Sequence, residues 1–101
     1  MRTIELANLL TRRFRLSRAA GCTTAWRILN EYPEELREAA VQLAKGETPT
    51  VTVRDLTVEE IAAMTGAGPL EALELMYVLT ADKSAGETLL LRLSRHDNGK
   101  N

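Results

Sequence analysis

"LTVEEIAAMTGAGPLEALELMYVL", residues 56–79, is the stretch on which the fold class turns. Thr57 and Glu60 have the spacing of a reciprocal helix cap, so a helix is expected over 58–65. Gly66, Ala67 and Gly68 follow as a turn, and Pro69 sits where a helix loses nothing by lacking an N–H. The next helix is expected over 69–81. Leu70, Ala72, Leu73, Leu75, Met76, Tyr77, Val78 and Leu79 leave it almost no polar side, which describes a central, buried helix. Ile61 and Leu73 are spaced to pack the corner. Two short helices meeting at a glycine turn, the second buried all round, place the chain in the all-α class.

Toward the N-terminus the same periodicity continues. Leu6, Leu9, Leu10 and Phe14 recur at three- and four-residue spacing, with Ile4 and Ala7 widening the stripe, and predict a helix over 3–14. After "RRFRLSR" comes Gly21, read as a break, with Thr23 or Thr24 capping a helix that runs to Tyr32. Pro33 opens another helix, with Leu36, Ala39, Ala40, Leu43 and Ala44 inward and Gly46 as its stop. "TPTVTVRD" changes period: Thr50, Val51, Thr52 and Val53 predict one short extended segment near 50–54, too short and solitary to make a sheet alone. At the other end, Ser84 and Glu87 offer a second cap, and "TLLLRLSR" reads as a last helix. Leu89, Leu91 and Leu93 also alternate, so a strand pairing with "TVTVRD" remains open. The whole predicts a compact bundle of five to six short helices, a single helical domain over 1–96 and a disordered tail over 97–101.

Composition limits the function classes. The chain has 101 residues, enough for one domain with a modest core. Only 4% of its residues are aromatic, so Leu, Ala, Ile, Val and Met must supply that core. No apolar run approaches the roughly 20 residues of a membrane span. The N-terminal stretch lacks the pattern of a secretory signal. A single cysteine, Cys22, forms no internal disulfide and fits a reducing cytoplasm. The net charge of −1 conceals a division. Residues 1–30 carry six Arg against one Glu, residues 31–90 carry twelve acidic groups against four basic, and residues 91–101 are again basic. Such a division either calls for an acidic partner or is satisfied within the fold or a dimer.

Residues 56–79 resemble a helix-turn-helix in outline. Its second helix, however, carries only Glu71 and Glu74, and the first adds Glu59 and Glu60, so phosphate would repel it. A second segment, "RLSRAAGCTTAWRILNEYP" over 15–33, resembles the glycine turn and Ser/Thr-capped recognition helix of bacterial repressors. That resemblance implies Thr23 and Thr24 at a phosphate-holding helix start and Arg27 at a base or phosphate. Arg12, Arg13, Arg15 and Arg18 would add a sequence-independent grip. Trp26 is either a core anchor or a stacking surface. In the plainer reading, "RRFRLSR" is the solvated end of the first helix and Trp26, Ile28 and Leu29 fill the core.

Catalysis has little to build on. The one histidine, His96, lies in the expected tail, and the lone Cys22 beside Gly21 is of the kind that usually packs. No zinc-ligand spacing occurs, and "TGAGP" follows a helix and lacks the lysine of a phosphate loop. Glu34 can pair with Arg37 on a solvated helix face. The expectation is therefore a cytoplasmic, non-enzymatic protein-interaction or accessory module with no cofactor and no metal. Its partner would be a protein or a second copy in a homodimer, with no membrane or small-molecule substrate. The alternative is a helix-turn-helix DNA-binding regulator using residues 12–32. The site residues for nucleic acid or partner are then Arg12, Arg13, Arg15, Arg18, Thr23, Thr24 and Arg27.

Overall fold

The computed structural model describes the backbone of residues 1–98 and the side chains of residues 1–94. The fold is all-α, with six helices and one minimal hairpin among the described residues. The chain gathers into two compact units, Met1–Pro49 and Thr50–Asn101.

The first unit holds α1 (Thr3–Phe14), α2 (Arg18–Asn30) and α3 (Glu34–Ala44). α1 opens with Glu5 Oε1 accepting from the Arg2 N–H at 3.3 Å, and it closes at Arg15, whose φ of 53° is left-handed. Its apolar stripe buries Leu6, Ala7 and Leu10. α1 packs chiefly on α2, and both touch α3, which contributes Leu36, Ala39, Ala40 and Ala44. Each fully buried Leu or Ile here, such as Leu6, Leu10 and Ile28, stabilises the unit by about 1.5–3 kcal/mol over its exposed state.

The break expected at Gly21 is absent, because α2 runs through it without interruption. The turn falls earlier, at Arg15, Leu16 and Ser17, and the cap is Ser17 rather than Thr23 or Thr24: its Oγ accepts from the Ala20 N–H at 3.1 Å. Gly21 serves a different purpose. A Cβ there would meet the Thr11 hydroxyl and come within 3.2 Å of the Ala7 carbonyl, so the glycine lets α1 and α2 approach closely. The face that α2 buries is correspondingly slight, namely Gly21, Ala25 and Ile28. Trp26, offered in the plainer reading as core, is 53% exposed.

The second unit begins with a hairpin. β1 (Thr52–Val53) pairs antiparallel with β2 (Leu56–Thr57), Thr52 opposite Thr57 and Val53 opposite Leu56. The extended segment is therefore not solitary. Its partner is two residues long and doubles as a helix start, which leaves it no alternation of its own to be read. α4 (Val58–Thr65) follows with both halves of the expected cap: Glu60 N–H donates to Thr57 Oγ1 at 3.1 Å, and Thr57 N–H to Glu60 Oε1 at 3.0 Å. Gly66, at φ 72°, makes the turn into α5 (Pro69–Ala81). α5 is the centre of this unit, and Leu73 and Met76 are completely buried.

The last segment is helical, α6 (Lys83–Asn98), which removes the strand alternative for 88–95. Its start is capped by Asp82, whose Oδ1 accepts from the Ala85 N–H at 3.1 Å, instead of by Ser84. Gly86 lets α6 lie against α5, since a Cβ there would come within 2.6 Å of the Leu79 Cα. Of the tail expected over 97–101, residues 97 and 98 continue α6, and residues 99–101 lie outside the described residues.

Candidate functional site

The basic residues of the first unit collect where α1 ends and α2 begins. Arg12 and Arg13 occupy the last turn of α1, where cations complement the negative end of the helix dipole. Arg15 caps that helix, and Arg18 is the first residue of α2. All four are exposed, and none makes a side-chain hydrogen bond or ion pair with another described residue. Arg13 leans over Gly46, at the end of α3, where a Cβ would come within 2.5 Å of its Nη2.

The start of α2 is electrostatically unusual. Helix N-termini carry a partial positive charge and are ordinarily matched with Asp or Glu. α2 has no acidic residue in its first turn and begins on Arg18. Ser17 Oγ and the Ser17 carbonyl take the N–H groups of Ala20 and Gly21, at 3.1 and 2.9 Å. Those of Arg18 and Ala19 remain as the open donors of any helix start. Arg18 thus begins the positive end of a thirteen-residue helix, and Arg12, Arg13 and Arg15 precede it along the chain at the end of α1.

The remaining expected site residues lie elsewhere. Thr23 and Thr24 sit inside α2, Thr23 exposed and Thr24 half-buried, so neither stands at a helix start. Arg27, a turn further on, is half-buried and donates through Nε to Glu31 Oε2 at 3.4 Å. Arg37 does not pair with Glu34. It is half-buried on α3, and its Nε is out of solvent without a partner. Cys22 is half-buried on α2, and the side chain of His96 lies outside those described. No three His, Cys, Asp or Glu side chains converge in metal-binding geometry among the described residues. No described helix is long and apolar enough to cross a membrane.

Two surface features stand apart from the arginines, and for the first the sequence leaves Trp26 open between core anchor and stacking surface. One is the outward face of α2, where Ala19, Thr23, Trp26 and Asn30 follow one another at helical spacing and are all exposed. The other belongs to the second unit: an open groove of about 490 Å³ floored by Leu56, Leu79 and Leu90. Met64 and Leu91 stand beside it, 41% and 55% exposed. Arg54 Nη1 and Glu87 Oε1 close one edge with a 2.7 Å ion pair, and Ser94 Oγ lies buried without a partner. Met64 continues the three-residue spacing of the buried Val58 and Ile61, and Leu91 belongs to the leucine run 89–91, so no local signal in the sequence separated either from the core.

Comparison with family models, with curated proteins and with solved structures finds no match to the chain.

Proposed function

We propose that the chain is a small non-enzymatic binding module, and that its Met1–Pro49 unit engages a polyanionic partner through the corner between α1 and α2. The observation that carries this reading is the run of four exposed, unpartnered arginines across the join of α1 and α2, where α2 starts with no acidic residue in its first turn. Like charges this close repel one another, and a fold that needed them only for solubility would gain by scattering glutamates between them. Instead the segment from Arg12 to Arg18 contains no acidic residue. Arginine forks suit phosphate oxygens, and helix N-termini accept the same groups. Nucleic acid is the abundant partner of that chemistry.

A second reading, docking of a protein partner on the groove of the second unit, is favoured by the exposure of Met64 and Leu91. It ranks lower because isolated exposed apolar side chains are common on soluble domains.

The experiment is fluorescence anisotropy with a short labelled duplex at low and moderate salt. Affinity is expected to fall steeply as salt rises, through counterion release. Arg15→Ala and Arg18→Ala should each flatten the slope of log affinity against log salt by about one unit. No binding at low salt to duplex or to a single strand would overturn the reading.

A further inference from the structure

We infer that the outward face of α2 makes this corner select single-stranded nucleic acid, Trp26 stacking on an unpaired base while the arginines hold neighbouring phosphates. The inference rests on the polyanion reading above and goes beyond it in naming the strand state and the residue that recognises it.

Trp26 is the chain's only tryptophan, and it is 53% exposed. Tryptophan is highly buried on average, because its large ring contributes so much when removed from water. Here the fold leaves about half of that contribution unused. The surroundings also keep the ring accessible. Ala19 and Thr23 lie between Trp26 and the start of α2 on the same face, and both are small. Asn30, one turn beyond, turns its amide back to donate to the Trp26 carbonyl at 2.9 Å. From Arg18 to Trp26 the helix rises about 12 Å. With about 3.4 Å between stacked nucleotides of one strand, that spans a few nucleotides. A phosphate grip and an aromatic face a few nucleotides apart are the two parts of a single-strand site.

A duplex fits less well. Its bases present edges and not faces, so the indole has nothing to stack on. A helix read into a groove would also carry the exposed Glu31, next to the end of α2, toward the phosphates. Arg27, the one cation on the C-terminal half of α2, is bonded to that same glutamate.

The test uses the full chain and its own indole as reporter. Tryptophan emission is titrated with an oligothymidine and with a short duplex at low salt. The expected result is quenching by the single strand, little change with the duplex, and tighter binding of the single strand. The Trp26 variants lack that indole and are followed by anisotropy of the labelled oligonucleotide: Trp26→Ala should weaken single-strand binding by about 5- to 150-fold, the range for loss of one stacked base. It should leave duplex binding within about two-fold, as for a surface change. Trp26→Phe, which keeps a ring, should retain part of the preference. Arg15→Ala and Arg18→Ala should weaken both. Circular dichroism confirms that each variant is folded. Binding that is unchanged in Trp26→Ala, or that proceeds without quenching, overturns the inference and leaves the polyanion reading standing. A salt-insensitive dimer in which Trp26 is shielded from acrylamide also overturns it, because a second copy would then occupy this face. Failure to bind either strand form removes the polyanion reading and the inference together.

Discussion

Gly21 and Gly86 both lie inside helices, and both are there because a neighbouring helix comes too close for a Cβ. Their neighbours differ in how far they can yield. At Gly21 the first obstacle is the Thr11 hydroxyl, on a side chain that can change rotamer, and the nearest backbone atom, the Ala7 carbonyl oxygen, stands further off at 3.2 Å. At Gly86 it is the backbone of Leu79, with Cα at 2.6 Å and N at 2.8 Å, and backbone inside a helix cannot move alone. Alanine is otherwise the better helix residue by about 1 kcal/mol. Gly86→Ala is therefore expected to destabilise its unit by about 1–3 kcal/mol, the usual overpacking cost. Gly21→Ala should lie within about 1 kcal/mol of the parent, because relief of the helix cost offsets a yielding clash. Urea unfolding of the two variants decides it, and a larger loss at Gly21 would contradict the argument. At the centre of the second unit, Leu73 and Met76 are completely buried, and replacing either by Ala should cost about 2–5 kcal/mol in the same assay. Losses below about 0.5 kcal/mol, typical of surface positions, would mean that α5 is not the core helix described.

Helix boundaries were legible at α1, α4 and α5, and the caps of α2 and α6 were assigned to the wrong residues. α1 and α5 occupy the residues their periodicity indicated, and the cap at Thr57 and Glu60 is made as spaced. α2 was misread because glycine carries two meanings. Read locally it weakens a helix, and read against a neighbour it permits close packing. The second meaning depends on Thr11 and Ala7, ten and fourteen residues away, and no local pattern announces it. The hairpin was half-visible: the β-branched run was plain, but the partner strand is hidden inside a helix cap. The correction at α2 can itself be tested. Ser17→Ala should cost about 0.5–2 kcal/mol by removing the cap. Thr23→Ala, at an exposed mid-helix position, should stay within about 0.5 kcal/mol of the parent. The opposite order would restore the helix start at Thr23.

Taken over the whole molecule, the sequence located the arginines but not their company. Four of the seven expected site residues meet at one corner because a three-residue turn joins α1 to α2. Arg27 and the threonines do not join them, because the continuous α2 carries those residues roughly one and a half to two and a half turns away. The sequence left Trp26 open between core anchor and stacking surface for a related reason: the choice depends on α2 turning Gly21, Ala25 and Ile28 inward, which leaves Trp26 on the outer face. The charge division along the chain also makes a prediction about the full protein. Cations outside the corner should matter little to polyanion binding. Lys83→Ala and Arg92→Ala, both at exposed positions on α6, should leave the salt slope unchanged where Arg15→Ala and Arg18→Ala flatten it. Equal effects from all four variants would mean diffuse attraction by every cation, and the corner would lose its special standing.

The hairpin turn of the second unit has a consequence for engineering. Arg54 and Asp55 both adopt left-handed φ, 54° and 65°, in a two-residue turn that favours Asn-Gly. Redesigning the pair as Arg54→Asn with Asp55→Gly would relax the backbone, a gain of about 1–3 kcal/mol per strained residue at most. The same redesign deletes the guanidinium that ties the turn to Glu87 of α6, a surface pair worth about 0–1 kcal/mol. The redesigned chain should therefore tolerate more urea while its groove stands open along that edge. Stability and the upkeep of the groove rim would be seen to compete at a single dipeptide.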